Sequence, residues 1–79
     1  MDTKTQIKDV ISKLLKVKVE DLKDDVALIN SIGVDSTEMV ETAIALEKAF
    51  NTKLSQKEIT KNCSINDIEK IVQSKLGGK

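Results

Sequence analysis

Apolar residues recur along this chain with a helical period in three places, separated by stretches that break it. The first set is Ile7, Val10, Ile11, Leu14 and Leu15, spaced i, i+3, i+4, i+7 and i+8, which puts all five on one stripe of a helix. Thr3 and Gln6 precede them in capping-box spacing, so a helix is predicted from about Lys4 to Lys16. The second set is Met39, Ala43, Leu46 and Phe50, within a helix predicted from Ser36 to Phe50. Asp35 stands before it as N-cap with Glu38 three positions on, and Gly33 supplies a flexible approach. The third set is Ile65, Ile68, Ile71, Val72 and Leu76, opened by Ser64 with Asp67 and stopped by Gly77-Gly78.

The intervals are equally informative. Residues 17–35 hold no sustained period, yet Val19, Leu22, Val26, Leu28, Ile29 and Ile32 are too apolar for a solvated linker. A long loop pinned to the core is predicted there, with a brief helical turn at Val19-Glu20-Asp21-Leu22, and a loop of that length belongs in a compact domain when it carries function. Asn51-Thr52-Lys53-Leu54 reads as a connection, after which Ser55 and Glu58 open a short helix of about two turns that buries Ile59. The expectation is an all-α, four-helix bundle with a short third helix and a long loop between the first two helices, forming a single domain over residues 1–79.

Composition narrows the classes. Seventy-nine residues with one cysteine leave no intrachain disulfide, so stability rests on helix packing. Pro, Trp and Tyr are absent and Phe occurs once, so the core is built from Ile, Leu, Val and Ala. No segment approaches the roughly 20 apolar residues that cross a bilayer, and no signal-peptide stretch opens the chain, so a cytoplasmic monomer without membrane insertion is expected. Histidine is absent, which excludes a Ser-His triad or a His-containing metal site within the chain; neither catalytic residues nor a metal site is expected. The acids between Asp24 and Asp35 lack the alternation and closing Glu of a calcium-binding EF-hand loop.

The net charge is zero, but its distribution is not even: residues 1–19 carry +3, residues 20–47 carry −7 and residues 48–79 carry +4. The acidic block surrounds Ser36, which suits a partner with a basic patch and argues against nucleic acid at that place. A serine hydroxyl at the mouth of this helix lies among free backbone N–H groups at the positive end of the helix dipole, a setting that stabilises an attached phosphodiester. Ser36 is therefore read as an attachment point, against the simpler reading of a helix-initiating serine.

Gly33-Val34-Asp35-Ser36, followed by Val40-Glu41, Ala45-Leu46-Glu47 and Phe50, resembles the acyl carrier proteins over nearly the whole chain. The resemblance implies that Ser36 carries 4′-phosphopantetheine taken from coenzyme A by a phosphopantetheinyl transferase, that Asp35 helps that transferase recognise the site, and that acyl groups ride on the arm as thioesters for fatty-acid or specialised lipid or polyketide biosynthesis. It also implies the family's architecture. Two positions depart from the pattern: Thr37 replaces the usual Leu after the serine, and Lys48 interrupts an acidic helix.

At 100° per residue Thr37, Glu41, Ile44 and Lys48 share one flank of that helix, so Ile44 becomes an apolar anchor ringed by charge. With Glu38 and Glu47 these residues form the candidate face for basic docking patches on acyl-ligase, synthase or transferase partners. An acyl chain has a place to bury itself between Val40, Ala43 and Leu46 on one side and Ile59, Ile68 and Ile71 on the other. Cys63 is expected to be a buried, inert thiol. The alternative function is a small helical adaptor that is never modified. A DNA-binding module fits poorly, because Glu38, Glu41 and Glu47 face a single Lys48 on the second helix.

Overall fold

A computed structural model describes residues 2–77 as four α-helices and one 3-10 turn, with no strand among the described residues. Helix α1 is Thr3–Leu15, the 3-10 turn Val19–Asp21, α2 Leu28–Ser31, α3 Ser36–Phe50 and α4 Ile65–Gly77. The all-α architecture expected from the sequence is present. Helix α1 packs against both α3 and α4. It contributes Ile7 and Ile11 to a core shared with Met39, Ala43 and Leu46 of α3 and with Ile65, Ile68 and Val72 of α4.

The caps explain where the long helices begin. Asp2, not the Thr3-Gln6 pair, caps α1, because its carboxylate accepts from the Thr5 amide at 2.7 Å. Asp35 and Glu38 form the predicted capping box, and Ser64 and Asp67 exchange a reciprocal pair of bonds at the start of α4. Lys16 and Asn51 close α1 and α3 in the left-handed conformation, each turning its amide back onto the preceding turn. Gly77 ends the described part of α4, and Gly78 of the predicted stop lies outside the described residues. Leu14 and Leu76, placed on core stripes by periodicity, are exposed at the far ends of their helices.

The loop is pinned as expected: Leu22, Leu28 and Val34 are buried and Ile32 packs against the core, although Val19 and Ile29 face outward. What pins it is backbone pairing. The amides of Leu28 and Ile29 donate to the carbonyls of Cys63 and Lys61, both at 2.9 Å, and Asn66 N–H donates to Asp24 O at 2.9 Å. Tied down in this way, residues 28–31 close one helical turn, so the short helix of the fold lies inside the loop.

The expected short third helix at Ser55 is a single hydrogen-bonded turn. Glu58 and Ile59 amides both reach Ser55 O, at 3.0 and 3.1 Å, and Ile59 is buried as predicted, but the ladder stops there. Two reasons account for it. Thr60, Asn62 and Cys63 are weak helix formers, and a helix this short needs strong support. The carbonyls of Lys61 and Cys63 are also committed to the loop amides, which holds residues 60–63 in turns.

Candidate functional site

Ser36 is the first residue of α3 and is exposed, and the capping box accounts for why its hydroxyl is idle. Asp35 Oδ1 accepts from Glu38 N–H at 2.8 Å, and Asp35 N–H donates to Glu38 Oε1 at 3.1 Å. Capping is complete without Ser36, whose Oγ forms no hydrogen bond with the described residues. A serine kept for helix initiation would be expected to spend its oxygen on the first turn. Gly33, at φ +68°, makes the turn into α3, a conformation that a side chain would strain.

Beside Ser36 lies a cleft of about 330 Å³ between the first half of α3 and the turn segment 56–62. Its floor is apolar, made by Met39, Val40 and Ile59. Its rim is polar: Gln56, Lys57, Thr60, Lys61 and Asn62. A second cleft of about 320 Å³ adjoins it further along α3, bordered by Ala43, Ile44, Leu54 and Lys57. Leu46 and Ile68, named from the sequence as walls of an acyl space, are sealed in the core, so the accessible part of that space is the Met39, Val40 and Ile59 surface.

Of the residues expected on the partner face, Thr37, Glu41, Ile44 and Lys48 are exposed together, with Ile44 at 43%. Glu38 and Glu47 hold structural bonds instead. Glu38 completes the capping box, and Glu47 Oε2 accepts from the Leu54 amide at 2.8 Å, fastening the connection after α3. Both are half-buried. Thr42, not singled out by periodicity, is fully buried and returns its hydroxyl to Glu38 O at 2.8 Å. Cys63 is half-buried, and its thiol lies 3.4 Å from the Glu58 carbonyl.

The turn segment has its own ties. Glu58 pairs with Lys75 of α4 at 3.1 Å, and the Lys75 hydrogen bond, with that of the Ser55 amide, holds the Glu58 carboxyl below its ordinary range. Asp24 sits between Lys4 and Lys8, and the Lys8 hydrogen bond leads in holding its carboxyl low. No group of acids or Cys among the described residues is arranged to hold a metal ion, and no described helix is long and apolar enough to cross a membrane.

Residues 5–72 match a family model described as a phosphopantetheine attachment site. An acyl carrier protein of Campylobacter hominis is 30% identical over 74 residues, covering 94% of each chain. One from Wolinella succinogenes is 29% identical over 68 residues, 86% of this chain and 90% of that protein. The polyketide-8 synthase acyl carrier protein 2 of Streptomyces avermitilis is 28% identical, covering 94% of this chain and 85% of its own. The similarity therefore reaches both proteins named acyl carrier protein and an acyl carrier protein of a polyketide synthase.

Proposed function

The chain belongs to the acyl carrier protein family, and from that premise we propose that Ser36 is its attachment residue. The family's role is to carry acyl groups on covalently bound 4′-phosphopantetheine, in exchange with synthases and transferases. The observation that supports Ser36 is its unused, exposed hydroxyl at the start of α3, since Asp35 and Glu38 already do the capping. The surroundings fit a tethered phosphodiester: the Ser36 and Thr37 amides have no partner within the described residues, and the helix dipole favours an anion at that end.

In the transfer, Ser36 Oγ loses its proton and forms the new bond to phosphorus, while the nucleotide part of coenzyme A departs. A separate magnesium-dependent transferase supplies the catalysis. Asp35 presents its second carboxylate oxygen, free of hydrogen bonds among the described residues, to that enzyme. Once bound, the arm supplies a terminal thiol that holds the acyl group as a thioester, activated toward acyl transfer and toward deprotonation beside the carbonyl. The chain itself delivers and shields the cargo and performs no catalysis. Met39, Val40 and Ile59 offer apolar surface to a cargo that folds back.

Partners meet the exposed flank of Thr37, Glu41, Ile44 and Lys48, where Ile44 supplies a small desolvated contact and Glu41 steers a basic patch. Lys48 on that flank disfavours partners shaped for an uninterrupted acidic helix, which suits a carrier dedicated to one specialised lipid or polyketide route, working as a monomer in the cytoplasm. Incubation with coenzyme A, magnesium and a phosphopantetheinyl transferase should add the mass of one phosphopantetheine to the wild type. Ser36→Ala should show no gain with unchanged far-ultraviolet circular dichroism; a modified Ser36→Ala protein overturns the assignment.

A further inference from the structure

We propose that Lys57 and Lys61 form an anion-receiving rim over the cleft beside Ser36, which takes an anionic oxygen of the tethered group: the phosphodiester of the arm or a carboxylate at the end of its cargo. The inference rests on attachment at Ser36. Both lysines line the same cleft as that serine. Neither enters an ion pair among the described residues, whereas Lys4, Lys8, Lys13 and Lys75 do.

Their backbones are fixed. Lys57 N–H donates to Ser55 Oγ at 3.0 Å, and Lys61 O accepts from Ile29 N–H at 2.9 Å. The two ammonium groups are therefore carried on an ordered wall. The cleft is lined by these two lysines and by no acid, so the charge that borders it is positive and comes from the 56–62 segment. An anion introduced through Ser36 enters a cleft that both lysines line, where their like charges both favour it. The apolar floor of Met39, Val40 and Ile59 carries no charge of its own. The structure thus offers methylenes a short apolar bed and offers an acidic group a definite place beyond it, which favours short cargo with an acidic end over long saturated chains.

Four forms of the wild type and of a Lys57→Gln/Lys61→Gln variant test this: unmodified, phosphopantetheinylated, butyryl-loaded and hemisuccinyl-loaded, each verified by intact mass. The reading is the thermal midpoint at low and at high salt. A site filled by the phosphodiester predicts that the wild type gains about 2–4 °C over the variant on phosphopantetheinylation, lost at high salt. A site filled by the cargo predicts the same lysine-dependent gain only between the butyryl and hemisuccinyl forms. Lys57→Arg/Lys61→Arg should retain it. As a second measurement, the phosphorus-31 resonance and the amide resonances of residues 56–62 should move with salt in the wild type. Verified loading with no lysine- or salt-dependent difference in any form overturns the rim and leaves attachment standing. No mass gain in the wild type overturns attachment, and the rim with it.

Discussion

Replacing Ile59 by Ala tests whether the cleft beside Ser36 is a cargo site or an incidental groove. Ile59 is 1% exposed and forms the part of the floor contributed by the turn segment. Removal of three buried carbons should cost about 2–3 kcal/mol, the lower part of the range for such truncations, because the neighbouring cleft is open and the site partly collapses. A domain of this length has about 4–12 kcal/mol in total, so the loss is large, and it corresponds to a fall of about 10–20 °C in the melting temperature. The informative step is to load the variant. Each methylene of an acyl chain that enters the enlarged space recovers about 0.8 kcal/mol, so three of them offset most of the truncation. Circular dichroism melts of the phosphopantetheinylated, butyryl, hexanoyl and octanoyl forms should show the gap between wild type and Ile59→Ala narrowing to less than half as the chain lengthens. A gap that stays constant across the series refutes the reasoning, since it would mean that no chain reaches Ile59.

Asp35→Ala removes the acceptor of the capping box and should lower stability by about 1 kcal/mol, read from urea midpoints; on the proposal that the same side chain meets the transferase, it should also slow phosphopantetheinylation. Glu58→Gln should flatten the acid limb of the stability curve: hydrogen bonds from Lys75 and the Ser55 amide depress the folded-state pKa, so the stabilisation is present above the unfolded value and lost as pH falls through the folded one, a difference visible in melts below about pH 4.5. Lys48→Glu should raise, and Glu41→Lys lower, the kcat/KM of a broad fatty-acid transferase acting on the loaded protein, with both effects shrinking at moderate salt; unchanged values would remove α3 from partner recognition.

The three long helices were legible because each carries both a period and a cap that agree. The box at Asp35 and Glu38 and the pair at Ser64 and Asp67 occur as their spacing implies. At α1 the same rule selected Thr3 with Gln6, although Asp2 lay one residue upstream and binds the first-turn amide more directly. Of the short elements, the 3-10 turn at Val19–Asp21 was legible, whereas the α2 turn and the turns at 60–63 were not, because they depend on long-range backbone bonds that no local pattern records. Leu28 and Ile29 form a turn of helix where their amides reach the carbonyls of Cys63 and Lys61, and those bonds also hold residues 60–63 out of a helix. Burial of Thr42 was hidden by its polarity, although it lies next to Leu46 at the edge of the core stripe on the helical wheel, a position that could have exposed it. The cleft lysines were visible only as part of a basic C-terminal third, since their approach to Ser36 comes from the fold.

The structural duties of Glu38 and Glu47 change how the acidic block acts. With one acid closing the cap and the other holding Leu54, the carboxylate left free on the exposed flank is Glu41, and Lys48 lies about two turns from it, one turn beyond Ile44. A partner reading this flank meets a nearly balanced charge pair around an apolar residue. Its long-range attraction is therefore modest, and orientation comes from the sign change along the helix. Lys57 and Lys61 add positive charge at the cleft beside Ser36. Alternation of this kind stabilises one docking pose and penalises its reverse, where like charges would meet. A carrier that visits several enzymes needs each encounter to be brief, and weak attraction with a strict orientation meets that requirement better than a uniformly acidic face does.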